Sequence, residues 1–279
     1  MASLRSRMIG LAGTAIVAAS VLLASPAATL AKGGTTYPSY TCTGGEIPAG
    51  SYASIKVTGP CSLASTGSFF VFGNIEVKTG GLLYGGTTDN FLWVRGNINV
   101  GSGGGLFLGC DILTSCVPFA PTPTGPRLTA PATSDPIILW AFIGGSVNGM
   151  GAAAVVVLGA QITKNFDIDG GGLGASYCTT APVTVSGTGP FGPFFALGFS
   201  TVGGNAEVDH VNTCGVVFFL NLVNGNLSDN DNTTSLGNVV VENSIGNNLS
   251  CKRNVPPPDL YWENFVGGHS SGQCWFSVV

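Results

Sequence analysis

The stretch "VFGNIEVKTGGLLYGG", Val71–Gly86, decides the fold, because "VRGNINVGSGGGLFLG" at Val94–Gly109 nearly repeats it 23 residues later. Both carry Gly-Asn-Ile near the start and Gly-Gly-Leu near the end. Within each, aliphatic and polar residues alternate, the pattern of a strand with one side in a core and the other in water. Repetition at a fixed interval of about 20–50 residues specifies a stack of like units.

Taking the residue before the first inward aliphatic as an anchor extends the pattern along the chain. It falls at Ser54 (SIKV), Asn74 (NIEV), Asn97 (NINV), Ser146 (SVNG) and Asn165 (NFDI). It recurs at Asn205 (NAEV), Asn226 (NLSD), Asn248 (NLSC) and, weakly, His269. The steps are 20, 23, 49, 19, 40, 21, 22 and 21 residues. The step of 40 reads as two coils with "PVTV", Pro182–Val185, as the middle one, and the step of 49 as two coils plus an insertion. With no leucine-rich consensus, a period near 21 predicts an all-β parallel β-solenoid of about 10 coils of roughly 21 residues. Its inward ladder would run through Ile75, Ile98, Val147, Phe166, Ala206, Leu227 and Leu249. Gly-Asn pairs suit tight corners, since both residues tolerate left-handed backbone, and stacked Asn amides can bond from coil to coil.

Composition agrees. Only 9% of residues are charged and 43 are glycine, which excludes a charge-rich disordered chain and favours turn-dense β structure. Residues 1–31 read as a signal peptide, with Arg5 and Arg7, an apolar run from Met8 to Leu23, and small residues at Ala28–Ala31. A retained membrane anchor is the alternative. The domain would then be a single β-helix over 32–279. Without Arg5 and Arg7 the formal charge moves from −4 to −6, and no basic cluster is present. Nucleic acid is therefore excluded as a partner, as is an anionic membrane once the signal is removed.

All eight cysteines follow the signal, and an even set in an exported chain implies disulfides. No C-x-x-C occurs, which argues against zinc. Sequence alone leaves the connectivity open, but stacking favours sequential pairing: Cys42–Cys61, Cys110–Cys116, Cys178–Cys214 and Cys251–Cys274. The first and last pairs lie about one coil apart at the two ends, where fraying must be resisted.

The run "VGGNAEVDHVNTC…NGNLSDNDNTTS…IGNNLSCKRN…VGGHSSGQC", Val202–Cys274, resembles a group of exported bacterial β-helix proteins of unknown function, and the upstream repeats extend the resemblance. The resemblance implies a single-stranded, right-handed parallel β-helix and supplies no catalytic residues. Bactofilins share the style of repeat but lack the export signal and the cysteines.

Three segments leave the repeat: a Pro-rich insertion at 110–136, the stretch Cys178–Phe199, and "NVPPPDLYWEN" at Asn254–Asn264. They are read as loop excursions. Their aromatics (Phe119, Phe191, Phe194, Phe195, Tyr261, Trp262), with the nearby Trp275, either cover the solenoid or stack on sugar rings, and Tyr261 and Trp262 are the binding candidates.

For chemistry, Asp167, Asp169, Glu207 and Asp209 fall on one outer face, with His210 and Arg253 nearby. Read across a two-coil step, the two pairs are about 10 Å apart. They are the candidate catalytic residues for a polysaccharide lyase or glycoside hydrolase, although paired carboxylates also simply wet a solenoid's outer wall. "DNDNTTS", Asp229–Ser235, has calcium-like oxygen spacing but lacks the glycine and closing glutamate of an EF-hand, and reads as a solvated Asn/Asp turn. "GHSSG", Gly268–Gly272, lacks the downstream His and Asp of a nucleophile elbow. Asn226, Asn232 and Asn248 begin glycosylation sequons. No metal or other cofactor is expected. The sequence points to a secreted or cell-surface, non-enzymatic structural or adhesion protein. A polysaccharide or cell-envelope component and a second copy are its candidate partners, with a carbohydrate-active enzyme or carbohydrate-binding module on the outer face as the alternative.

Overall fold

The computed structural model describes residues 36–85, 89–109, 140–174, 178, 183–184, 190–191, 194–260 and 262–275. Residues 1–31, read from sequence as a signal peptide, the Pro-rich insertion with Cys110 and Cys116, and Tyr261 lie outside them. The β structure belongs to the compact unit Thr36–Val279. Its strands stack in parallel as a β-solenoid, and among the described residues none is α-helical.

Three ladders of strands form the walls. The first joins Ser39–Cys42, Ser54–Val57, Ile75–Val77, Ile98–Val100, Val147–Met150 and Phe166–Gly171. It continues through the start of Ala206–Phe219 and then Leu227–Asn230, Leu249–Lys252 and Ser270–Gly272. The second runs from Gly45–Ile47 to Thr233–Val241, and the third from Gly50–Tyr52 to Phe265–Val266.

Alternation drives burial. Ser54–Val57 (SIKV) and Phe166–Gly171 (FDIDGG) place every second side chain inside. Register then aligns Ile55, Ile75, Ile98, Val147, Phe166, Ala206, Leu227 and Leu249 in one fully buried column. Val71, Val94, Ile143, Ile162, Val202, Val223 and Ile245 form its counterpart on the third wall. A single coil cannot enclose an apolar interior, so each rung is stabilised by burial against its neighbours.

Two steps of the repeat differ from the sequence reading. Phe166–Gly171 pairs directly with Ala206–Phe219, so the step of 40 is one rung with an excursion. Within that excursion Val183–Thr184 pairs antiparallel with Pro190–Phe191 and is not a coil. Val183 and Thr184 of "PVTV" thus pair within the excursion rather than with a neighbouring rung. Likewise Ile98–Val100 pairs directly with Val147–Met150, and the step of 49 is one rung carrying the Pro-rich insertion. Phe194 and Phe195 are not loop aromatics either. They open the strand Phe194–Gly198 of the second wall, with Phe195 in the core.

Three disulfides are present among the described residues: Cys42–Cys61, Cys178–Cys214 and Cys251–Cys274, with Cα–Cα distances of 6.3, 5.4 and 5.2 Å. The first and last staple the two ends of the stack; Cys178–Cys214 ties the proline-containing excursion to a buried strand.

The corners depart from expectation in an informative way. The glycines before the anchors Asn74, Asn97, Asn205, Asn226 and His269 do not take left-handed backbone. A Cβ on Gly268 would lie 2.6 Å from Asn248 Oδ1, and one on Gly96 would lie 2.6 Å from the Gly73 carbonyl, so glycine is required by close stacking between rungs. Left-handed positions are held further along each coil, by Gly80, Gly103, Gly151, Gly159 and Gly170 with φ between 65° and 72°. In the later rungs they are held by the non-glycine residues Phe199, Leu220 and Glu242 at one corner and His210, Asp231 and Arg253 at another, with φ between 50° and 58°.

Candidate functional site

Asparagine columns fix these corners and thereby the outer walls. At the anchors, each side-chain oxygen accepts the backbone N–H of the anchor one rung on. Asn74 accepts from Asn97 at 2.9 Å, Asn165 from Asn205 at 3.0 Å, Asn205 from Asn226 at 3.0 Å and Asn248 from His269 at 3.0 Å. Two further columns, both buried, follow the left-handed residues. In one, Ser200, Asn221, Asn243 and Asn264 are linked by backbone N–H bonds of 3.0–3.1 Å to the next Oδ1, and their amides return to Leu197, Phe218 and Val240 carbonyls. In the other, Val211, Asn232 and Asn254 are linked in the same way. The buried columns were absent from the sequence reading. Their signal was an Asn recurring about one period apart after a non-glycine residue at the corner.

The candidate catalytic carboxylates sit on the outside of the first wall. Asp167 is the register partner of Glu207, and Asp169 of Asp209. They are therefore one rung apart, about 4.8 Å between strands, and not the two coils the sequence suggested. Their oxygens take part in local bonds. Asp169 Oδ1 lies 3.1 Å from His210 Nδ1, Asn205 Nδ2 donates to Glu207 Oε1 at 3.2 Å, and Asp209 Oδ1 accepts the Asn230 N–H at 3.2 Å. Partial burial, then repulsion from Asp167 and Asp209, raises the Glu207 carboxyl above its ordinary range. Burial also raises Asp209, against the bonds from Asn230. Arg253 and His210 belong to the left-handed corner, where Arg253 grips Asp231 and His210 Nε2 lies 3.8 Å from it. Among the described residues no group of three or more His, Cys, Asp or Glu could hold a metal ion.

"DNDNTTS" is not a solvated turn. Asp229 and Asn232 are completely buried, and Asp229 occupies the core column formed by Val57, Val77, Val100, Gly149, Ile168 and Val208. Asn232 and Asn254 donate to its two oxygens at 2.7 and 3.1 Å. Burial nevertheless pushes its carboxyl up to about 7. Alternation forces position 229 inward, whatever side chain it carries.

Of the two binding candidates, Trp262 is half-buried and Tyr261 lies outside the described residues. A more organised set of aromatics lines the outside of the third wall. Phe70 is the register partner of Trp93, and Trp93 of Phe142. The Phe70 and Trp93 rings are 6.4 Å apart, Phe72 meets Trp93 edge-on at 5.7 Å, and Tyr37 stacks on Phe72 at 4.1 Å. The sequence carries the signal in "SFFVF", "FLWV" and "WAFI", where alternation points one aromatic of each run outward.

Neither a family model, a curated protein nor a solved structure matches the chain.

Proposed function

We propose that this chain is an exported, non-enzymatic, right-handed β-helix of about 10 coils, acting as a structural, cell-surface or adhesion module. The supporting observation is how its polar groups are used. Asp169, Glu207 and Asp209 each bond to a neighbour one corner or one rung away, and the Asn columns tie rung to rung. Such bonds hold a scaffold and leave the carboxylates committed to it. The disulfides fit an extracellular setting. Right-handedness follows the rule that crossovers between parallel strands of one sheet are right-handed in about 98% of cases. Stacking of the first wall from Ser39–Cys42 to Ser270–Gly272 supports the coil number. Partners of this module would be a polysaccharide or cell-envelope component, or further copies of the chain, and not nucleic acid or membrane.

The competing reading, a carbohydrate-active enzyme, draws on the one-rung spacing of Asp167/Glu207 and Asp169/Asp209 and on the raised carboxyl of Glu207. Incubating the exported form with a panel of acidic and neutral polysaccharides separates the two. No new chain ends should form; their release, abolished by Asp209→Ala, would overturn the structural reading.

A further inference from the structure

The outside of the third wall breaks the rule that a solenoid's exterior is polar. Its central column reads Ser51, Phe70, Trp93, Phe142, Gln161, Thr201, Leu222, Ser244 and Phe265 in register, so three consecutive rungs carry rings, flanked by polar Ser51 on one side and Gln161 and Thr201 on the other. Phe91, beside this column on its own strand, is 38% exposed, and so is Phe70. A contiguous aromatic surface held on rigid strands is a recognition surface more often than a packing accident.

We propose that this aromatic platform is a docking face for a neutral, β-linked polysaccharide chain. Three features select that partner. First, the strands carrying the rings repeat at about 4.8 Å and the Phe70 and Trp93 ring centres are 6.4 Å apart, the scale of the advance per sugar of an extended pyranose polymer, so successive sugars can meet successive rings. Aromatic faces stack on the C–H faces of pyranoses, and a flat sheet wall suits a ribbon-like β-linked chain. Second, charge selects against an ionised polymer. The exported chain is formally −6, and the carboxylates at Asp167, Asp169, Glu207 and Asp209 are on the first wall, away from this one. The platform rings carry no charge, and the exposed Arg95 just beyond Val94 adds hydrogen-bond donors for hydroxyls at its border. Third, the rings are already ordered against one another, Tyr37 on Phe72 and Phe72 against Trp93, so docking costs little side-chain entropy.

The test is titration of the exported protein with cellohexaose, followed by calorimetry and tryptophan emission, with tetragalacturonate as the anionic arm. Saturable binding of cellohexaose without cleavage is expected. Trp93→Ala and Phe142→Gln should each weaken it about tenfold or more. Phe70→Ser, which installs the residue the same column carries at position 51, should weaken it severalfold. Trp275→Ala, 69% exposed beside Cys274, should leave it unchanged. Thermal unfolding of each variant reports folding, and Phe70→Ser keeps the test valid if Trp93→Ala unfolds. Equal binding by wild type and the ring variants overturns the proposal, as does preferential binding of tetragalacturonate. Absence of cellohexaose binding together with self-association that Phe70→Ser abolishes would assign the face to a second copy and overturn it too. Cleavage of cellohexaose would instead sink the non-enzymatic reading while leaving the platform in place.

Discussion

A carboxylate in an apolar column makes the stability of this protein depend on pH in a direction opposite to most. Asp229 follows Val208 in the core column and is fully buried, and its carboxyl is pushed up to about 7 from the ordinary 3.8. The folded chain therefore holds this proton until about pH 7, while the unfolded chain releases it near pH 4. Between those values the folded state binds one proton more, so stability falls as pH rises. The contribution is fully present below about pH 4 and gone above about pH 7. At about 1.4 kcal/mol for each pH unit, the ceiling is about 4 kcal/mol. The value of about 7 already carries the pull of the Asn232 amide; the Asn254 donor, which also stays attached to the ionised group, brings the contribution somewhat below that ceiling, toward about 3 kcal/mol.

The perturbation is Asp229→Asn, which keeps the shape and removes the titration. Its amide faces two donors, so the variant is expected to be less stable in absolute terms; the readout is the slope with pH. Urea unfolding at about pH 4 and pH 8 should show wild type losing about 2–4 kcal/mol relative to the variant. The comparison is needed because Glu207, Asp209 and Glu242 are also raised by burial and tilt both proteins the same way. Asp231 and Glu76, lowered by Arg253 and Lys78, tilt both the other way. Parallel pH profiles, agreeing within about 0.5 kcal/mol, would refute the placement of an ionisable group in this column.

The asparagine columns should separate by burial. Asn243→Ala strands the buried Asn221 N–H and Phe218 carbonyl and should cost about 3–5 kcal/mol in denaturant unfolding, whereas Asn248→Ala at the exposed anchor should cost about 1 kcal/mol or less. Replacing Cys42 and Cys61 together by Ala should lower stability by about 2–4 kcal/mol and let limited proteolysis begin at the N-terminal rung. Asp169→Asn, at a pair whose partners are 63–64% exposed, should change the unfolding free energy by less than about 1 kcal/mol, and by still less in high salt.

The alternation of "NIEV" and "NINV" and the period near 21 made the stacked walls and the first inward column legible, because a two-residue period and a fixed repeat are both written in the chain itself. What misled was arithmetic. A step of 40 divides neatly into two coils, but only pairing decides whether intervening residues join the stack, and Val183–Thr184 pairs with Pro190–Phe191 instead. The carboxylate pairs at 167/207 and 169/209 consequently moved from two coils apart to one, which changes what chemistry they could do. Tyr261 and Trp262 stand out in the sequence because loops carry function, whereas Phe70, Trp93 and Phe142 sit within alternating strands, where an outward aromatic shows only when each outer position is read singly.

The same alternation explains why Asp229 and Phe70 are informative exceptions. In a solenoid the inside and outside of a wall are assigned by parity, and register with the neighbouring rungs prevents any single residue from switching sides. A polar residue on the inner parity must then be satisfied in place, as Asn232 and Asn254 do for Asp229. An aromatic on the outer parity has no such internal remedy, and Phe70, Trp93 and Phe142 can cover only part of one another. Burying a carboxylate lowers stability unless partners are built around it, and three partly exposed rings in a row lower solubility unless something covers them. The first exception is closed by the fold itself; the second remains open toward solvent, and so the outer third wall, more than the carboxylates of the first, is where a partner has something to gain by binding.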